Sequence, residues 1–464
     1  MEQLTKRILA IVLIAVIGVG VGITVWIFVA PYSWGAKDCP GAPAGITEDQ
    51  IIKIGVLGGL QDIQGAGALE GAQLAAYEIN TAGGIVVDDK RYYIGITSED
   101  TDESNPNLDT TKGVAAAERI INYKNCQYLT GGFRTEALEV YLETVVAAKI
   151  PFIGTGAATD SFCENVIDDY AKYKYFFRNM PINSTALGGE IIKFILTYRA
   201  VLSSPLYANR SITKFGILYE DLDWTTPLVD ALKYYINTLY GLPIVAKVAY
   251  PITALQADMN GYMGAIDANN TQILIPVISA QGGILMMNSY ASLKPGFVVI
   301  GIDVQSQLDT FWTDSTEACE YETILQSLHN TSKTPRSVPF WNAYIDRYDH
   351  EPLYTAVGSY DAINMYAWAI NETQSFNVDG IITQFETIDR DNPMDGAGGK
   401  AAFNIAHDII EGYPYGYTLF CQWQSGGTKI VVPSFGSIYP PEIETGYYLT
   451  PAGDPDWPGW AFNT

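Results

Sequence analysis

The sequence alternates short apolar runs with helical runs, and this alternation constrains the fold more than any other feature. A first series predicts strands at 52–57, 92–96, 127–130 and 151–153, separated by helices at 67–80, 111–123 and 136–148. A second series predicts strands at 215–219, 245–249, 273–277 and 297–300, with helices such as 227–240 between them. Strands interleaved with helices of this length form a parallel sheet covered on both faces. We therefore predict an α/β fold with two doubly wound parallel-sheet lobes.

This architecture also predicts where a ligand binds. In doubly wound sheets, ligands lie beyond the carboxyl ends of the strands, where helix N-termini present free backbone N–H groups. The loops at those ends are 60–67, 131–136, 154–161, 220–226, 278–283 and 301–306.

The N-terminus predicts export. Residues 8–30 carry no charge and follow Lys6 and Arg7. As a helix this stretch spans roughly 34 Å, enough to cross a bilayer. Pro31 directly after the stretch disfavours cleavage, so a transmembrane anchor is favoured over a cleaved signal. The positive-inside rule then places residues 1–7 in the cytoplasm and the chain after the helix, beginning with a linker at 31–51, on the extracellular side of the cell surface.

The cysteines are scattered, with no Cys-x-x-Cys pair, so neither a zinc site nor a redox motif is indicated. An exported chain with five cysteines predicts one or two disulfides. We expect Cys39, in the linker, to be unpaired. The candidates for pairing, in an order that the sequence leaves open, are Cys126, Cys163, Cys319 and Cys421.

Asn-x-Ser/Thr sequons agree with an extracellular location, and they predict glycosylation on exposed loops. The sequons begin at Asn183, Asn209, Asn269, Asn330 and Asn371.

Charge and motif content exclude several classes of function. The chain has 51 acidic and 27 basic residues, so it would repel nucleic acid. Its three histidines lie far apart, and no metalloprotease, nucleophile-elbow or phosphate-loop motif occurs. The acid-rich loops 100–103 and 389–392 lack the spacing of a helix-loop-helix calcium site. We predict a protein that is not an enzyme and needs no metal or cofactor.

An ordered series of short segments resembles one known family. The segments are 54–57, 71–72, 78–80, 82–84, 98–101, 149–151, 156–159, 177–178, 217–221, 301–303, 360–362, 396–400 and 403–404. In this order they resemble the substrate-binding proteins of ABC transporters of the branched-chain amino-acid type, across about residues 52–430. The resemblance implies a type I periplasmic binding fold whose two lobes are joined by a three-stranded hinge.

The resemblance also implies domain bounds. It assigns residues 52–178 and 304–396 to lobe 1 and residues 179–303 and 397–432 to lobe 2. A tail at 433–464, which contains prolines and tryptophans, is unlike the family; it is expected either to pack across a lobe or to contact a neighbour.

By the family pattern, residues of both lobes contact the ligand. Thr135, Ala157 and Thr159 of lobe 1 stand where the ligand carboxylate is bound. Asp303 stands where a carboxylate pairs with the ligand ammonium, a charge-assisted bond of the strong kind, and Trp224 stands where an aromatic ring closes over the ligand. Gln64 and Ser279 occupy positions where the amino-acid binders carry Tyr, which implies a more polar pocket.

The resemblance thus implies a solute-binding protein that captures an amino acid or a related small polar ligand for ABC permease subunits. The alternative is a ligand-sensing or structural surface glycoprotein on the same fold. A cytoplasmic tail of only residues 1–7 is too short to signal by itself, which favours import.

Overall fold

A computed structural model describes residues 32–203, 211–279 and 282–451 of the protein. The predicted cytoplasmic tail at 1–7 and the predicted anchor at 8–30 lie outside these ranges. Within them, no helix is both long and apolar enough to cross a bilayer.

The strands that the structure describes are short and mostly buried. They are β1 (Ile51–Gly58), β2 (Ile85–Val87), β3 (Lys90–Asp100), β4 (Tyr128–Gly131), β5 (Phe152–Gly154), β6 (Phe176–Arg178), β7 (Phe215–Glu220), β8 (Ile244–Tyr250), β9 (Ile273–Ile278), β10 (Val298–Asp303), β11 (Thr323–Gln326), β12 (Met394–Asp395), β13 (Lys400–Ala401), β14 (Leu419–Gln424) and β15 (Thr428–Val431).

Two main sheets form the two lobes. Lobe 1 contains a six-stranded sheet in the order β2-β3-β1-β4-β5-β6. Lobe 2 contains a seven-stranded sheet in the order β15-β14-β11-β10-β9-β7-β8. The central pairs are parallel, as where β1 lies between β3 and β4 and where β7 lies between β8 and β9. The predicted α/β fold with two parallel-sheet lobes is confirmed.

Helices cover the faces of both sheets. They are α1 (Ile63–Thr81), α2 (Thr110–Glu118), α3 (Thr135–Ala147), α4 (Ser161–Asp168), α5 (Tyr170–Tyr173), α6 (Ser184–Leu202), α7 (Thr225–Lys233), α8 (Gln256–Ala268), α9 (Gly283–Leu293), α10 (Phe311–Asp314), α11 (Ser337–Tyr348), α12 (Tyr354–Thr373) and α13 (Val378–Phe385). Helices α2 and α7 continue into π-helical turns at Arg119–Tyr123 and Tyr234–Leu239.

The start of α1 is fixed at the carboxyl edge of the lobe 1 sheet. Asp62 caps the helix by accepting a hydrogen bond from the backbone N–H of Ile63 at 2.8 Å. Helix α12 crosses α1 at Gly71, where a Cβ atom would lie 1.9 Å from the carbonyl oxygen of Ala356. Only glycine permits this close approach, which holds the middle of α1 against α12.

One predicted lobe boundary is wrong. Strand β11 pairs in parallel with β10 and antiparallel with β14, so residues 304–326 belong to lobe 2 and not to lobe 1. The chain returns to lobe 1 only after Gln326, and α12 then packs on α1. The buried run of β11 is four residues long. An apolar run of this length in the sequence does not indicate which of the two sheets the strand joins.

The connections between the lobes are tied to one another. Arg178, at the end of β6, donates from its Nε to Oδ1 of Asp408 at 2.8 Å, and the guanidinium is fully buried. The hydroxyl of Thr334 donates to the carbonyl of Gly396 at 2.6 Å. The first bond joins the end of β6 to the segment around Asp408. The second bond joins the segment that follows β11 to the segment around Gly396. The connections between the lobes are therefore cross-linked to one another.

The tail packs across lobe 2 as far as the structure describes it. The backbone N–H of Thr445 donates to the carbonyl of Val431 at 2.9 Å, and the Thr445 hydroxyl accepts from the N–H of Val431 at 2.8 Å. Leu449 donates to the side-chain oxygen of Gln422 at 2.8 Å. The tail therefore covers the edge of the sheet at β15.

The predicted disulfides are wrong. All five cysteines are described, and each is a buried free thiol. Cys39, Cys126 and Cys163 pack in lobe 1, whereas Cys319 and Cys421 pack in lobe 2. Each thiol lies among apolar side chains, as free cysteines commonly do. Cys39, in the predicted linker, is only 1% exposed.

The sequons occupy different environments. Asn269, Asn330 and Asn371 are exposed, and Asn209 lies outside the described residues. Asn183 is half-buried: its side-chain oxygen caps α6 by accepting from the N–H of Ala186 at 3.0 Å. Glycosylation at these sites stays a prediction.

Candidate ligand-binding site

A narrow cavity of about 70 Å³, partly open to solvent, lies between the two lobes. Its wall is mainly apolar and comes from both lobes. Its larger apolar side chains include Phe133, Leu187, Leu222, Trp224, Ile252 and Tyr354. Its polar residues include Asp62, Glu103, Ser104, Arg134, Ser279 and Gln307. A mainly apolar cavity with a few polar groups is typical of a site for a small organic molecule.

Hydrogen bonds across the cavity hold the lobes together. Gln64, in the first turn of α1, donates from Nε2 to the carbonyl oxygen of Ser279 at 2.9 Å. Glu136, in the first turn of α3, accepts from the backbone N–H of Asp223 at 3.2 Å. The two bonds join the carboxyl edges of both sheets, so the structure shows a closed arrangement.

The predicted residues of lobe 1 lie beside the cavity but do not face it. The hydroxyls of Thr135 and Thr159 are hydrogen-bonded to each other. The carbonyl oxygens of Ala157 and Thr159 accept from Nη1 of Arg178, at 3.3 and 2.8 Å. The cavity is lined instead by the neighbours Arg134, Gly156 and Ala158. The lining therefore differs from the family-based prediction by one position.

Two of the predicted lobe 2 residues do line the cavity. Trp224 is 8% exposed, and its Nε1–H has no hydrogen-bond partner within the described ranges. Ser279 donates from both its backbone N–H and its hydroxyl to Oε2 of Glu220, at 2.9 and 2.6 Å. Glu220 thereby turns the carbonyl of Ser279 toward Gln64.

Asp303 lies behind the cavity wall. Its neighbours Ile302 and Val304 line the cavity, and successive residues of a strand face opposite sides of the sheet. Oδ1 of Asp303 accepts from the backbone N–H groups of Gln305 and Ser306 at 3.1 and 3.4 Å.

The second oxygen of Asp303 lies over Gly283, where a Cβ atom would be 2.2 Å away. The Asp303 carboxyl also interacts with that of Glu322. Burial, with a smaller contribution from Glu220, raises the pKa of Asp303 to about 7. Burial raises the pKa of Glu322 as well. Burial thus favours the neutral form of both carboxyls, which disfavours pairing with a ligand ammonium.

Three charged residues of the cavity were not among the predicted ligand contacts. Arg134 donates from Nε to Oε2 of Glu136 at 3.1 Å, and its side chain is 13% exposed. The backbone N–H groups of Gly59, Phe133 and Arg134 hold the carboxyl of Glu103, whose pKa burial raises to about 8. Burial also raises the pKa of Asp62. The sequence alone could have predicted Arg134 as a ligand contact, because it lies in loop 131–136 at the carboxyl end of a predicted strand.

A closed cavity between two hinged α/β lobes defines a two-lobed small-molecule-binding protein. A family model described as periplasmic binding protein matches residues 51–413. The match covers well over half of the chain, and the chain belongs to this family. The membership predicted from the ordered sequence segments is confirmed.

Solved structures share the fold at low sequence identity. A branched-chain amino acid transporter substrate binding protein from Streptococcus pneumoniae, in complex with isoleucine, is 19% identical; the match covers 82% of this chain and 97% of that one, with a TM-score of 0.64. A solute binding protein of an ABC transporter from Rhodopseudomonas palustris HaA2, in complex with p-hydroxybenzoic acid, is 17% identical; the match covers 88% and 98%, with a TM-score of 0.66. A comparison with curated proteins finds no match.

Proposed function

We propose that this chain captures a small organic solute between its lobes and delivers it to the permease subunits of an ABC importer. The observation that carries the proposal is the cavity wall, which both lobes supply and which the bond between Gln64 and Ser279 closes. A ligand held by both lobes favours the closed arrangement over an open one. Closure is then a signal that a transporter can recognise.

The proposed solute is an amino acid or a related organic acid. The cavity has an apolar wall with a small number of charged and polar groups, which suits a molecule with an apolar body and a polar head. Structures of the same fold are described in complex with leucine, isoleucine and p-hydroxybenzoic acid. On lobe 2 we propose Trp224 and Ser279 as ligand contacts. On lobe 1 the proposed contacts come from loops 131–136 and 154–161.

The proposed location is the extracellular side of the membrane, with residues 8–30 as the anchor. This location suits a protein that collects solutes before import. It is tested by peptide mass analysis of the protein isolated from membranes, in which peptides from residues 1–30 should be retained.

Ligand-dependent closure tests the proposed function. Purified protein is screened by thermal shift against amino acids and organic acids, and each solute that raises the melting temperature is then examined by small-angle X-ray scattering. We expect the radius of gyration to fall at saturation. Gln64→Ala should weaken binding roughly two- to tenfold, because it removes one hydrogen bond between the lobes. The matched control is Gln384→Ala, in α13 of lobe 1 and away from the cavity. Binding without compaction would contradict the proposal.

A further inference from the structure

Building on the proposed function, we propose that the cleft binds its ligand by a carboxylate held between Arg134 of lobe 1 and the indole N–H of Trp224 of lobe 2. The ligand class is a monocarboxylic acid with an apolar body, and an α-ammonium group is not required.

Arg134 lines the cavity and has unused donor capacity. Its Nε donates to Glu136 at 3.1 Å, and its Nη1 donates to the carbonyl of Asn105 at 3.0 Å. In the part of the chain that the structure describes, Nη2 has no hydrogen-bond partner. These two bonds fix the plane of the guanidinium, and its free edge is a geometry suited to a carboxylate.

Trp224 supplies a second donor without a partner. The side chain is more than nine-tenths buried, it lines the cavity, and its Nε1–H donates to no described residue. A buried polar group without a partner costs free energy, and an acceptor on the ligand at this position would recover it.

Arg134 and Trp224 line the same cavity, and Glu136 bonds to Arg134 and to the chain just before Trp224. One of its oxygens accepts from Arg134, and the other accepts from the backbone N–H of Asp223, the residue before Trp224. Glu136 thus connects Arg134 of lobe 1 to the backbone of lobe 2 at the residue before Trp224. Binding of the carboxylate would therefore stabilise the closed arrangement directly.

The acceptors of the cavity are poorly suited to an ammonium group. Three backbone N–H groups already hold the carboxyl of Glu103, and one oxygen of Asp62 caps α1. Burial raises the pKa of both groups, which disfavours the carboxylate forms that an ammonium would need. Asp303 lies on the far side of the wall formed by Ile302 and Val304. An ammonium in this cavity would lose its hydration without gaining a strong partner.

The apolar part of the wall accommodates the rest of the ligand. Leu187, Leu222, Ile252 and Ile302 all belong to lobe 2 and line the cavity. Burying an aliphatic or aromatic body against them supplies affinity in proportion to the apolar area removed from water. The carboxylate bound by Arg134 then sets the orientation of the ligand in the cavity.

Matched pairs of small molecules test the proposal by calorimetry at pH 7. The first pair is leucine and 4-methylpentanoate, and the second is phenylalanine and 3-phenylpropanoate; 3-phenylpropanamide is the neutral analogue of the last acid. We expect each acid to bind at least as tightly as its amino acid, and 3-phenylpropanoate to bind at least tenfold more tightly than its amide.

Variants then identify the donors. Arg134→Gln should weaken binding of the acid at least tenfold while leaving binding of the amide within about threefold, and this second result shows that the variant is folded. Trp224→Phe should weaken binding of the acid about two- to tenfold. The matched control, Arg119→Gln, removes an arginine that is 49% exposed and lies outside the cleft, and it should change nothing.

The outcomes separate this inference from the proposed function. An amino acid that binds tenfold more tightly than its acid would overturn the inference and leave the proposed function standing. If the acid binds Arg134→Gln and the unsubstituted protein with equal affinity, the inference is also overturned and the proposed function is unaffected. If no molecule of the panel binds, the inference fails, while the proposed function is decided by the wider screen of amino acids and organic acids.

Discussion

Replacing Asp303 by Asn tests whether this carboxyl is a buried structural group, as its surroundings indicate, or a ligand contact, as the family pattern implies. Asp303 is fully buried, and its pKa is raised from 3.8 to about 7. A pKa change of this size corresponds to roughly 4 kcal/mol of stability that is lost when the carboxyl ionises. Asn keeps the shape and the oxygen that accepts from Gln305 and Ser306, but it cannot ionise.

The sign of the effect follows from proton binding. Below about pH 4 the folded and unfolded states both hold the Asp303 proton; between about pH 4 and 7 only the folded state holds it. The unsubstituted protein therefore loses stability as the pH rises through this window, and the loss is complete above pH 7. About 2 to 3 kcal/mol of this loss in the free energy of unfolding occurs between pH 5 and pH 8.

The assay is urea unfolding at pH 5 and pH 8. The stability of Asp303→Asn relative to the unsubstituted protein should increase by about 2 kcal/mol or more between the two pH values. Asp309→Asn, on an exposed position of the same segment, is the control and should show no such change. Ligand affinity should stay within about threefold. A variant that is less stable at pH 8, or one that loses affinity by 2 to 5 kcal/mol as a broken ligand ion pair would, refutes the reasoning.

Three further predictions concern other parts of the molecule. Asp408→Ala leaves the guanidinium of Arg178 buried without its ion-pair partner, and the free energy of unfolding measured in urea should fall by about 3 to 5 kcal/mol. Gly71→Ala places a methyl group 1.9 Å from the carbonyl oxygen of Ala356; the helices must separate, and a loss of about 1 to 3 kcal/mol in the same assay is expected. Burial raises the pKa of Cys39 to about 12, and the other buried thiols are shifted in the same direction, so mass spectrometry should detect no alkylation of the native protein by iodoacetamide at pH 8; rapid modification of any cysteine would contradict the structure.

The sequence predicts the sheets well because parallel strands are buried on both faces and appear as continuous apolar runs. Strands β1, β7, β9 and β10 all belong to such runs, and the loops after them do contribute to the cavity. The short strand β11 carries a weaker signal. Its place beside β10 depends on long-range pairing, which the composition of four residues does not encode.

The site is harder to predict than the fold because a shift of one residue exchanges the two faces of a strand. Ile302 and Val304 line the cavity while Asp303 faces the opposite way. At the start of α3 the same one-residue difference occurs for another reason: the N-cap Arg134 lines the cavity, whereas Thr135, the first helical residue, is bonded to Thr159. The family pattern identifies the correct loops, but the packing of each loop decides which of its side chains reaches the ligand.

The C-terminal segment up to residue 451 has a practical consequence for fragments of this protein. The family match ends at residue 413, before β14 and β15. A fragment cut there would remove two strands of lobe 2 and leave β11 as an open edge. A fragment cut at 432 would keep the strands but strip the cover from β15, exposing unpaired backbone groups that invite association between copies. Residues 433–451 thus cover a sheet edge that would otherwise be free to pair with another copy, although the family pattern gives no sign of this cover.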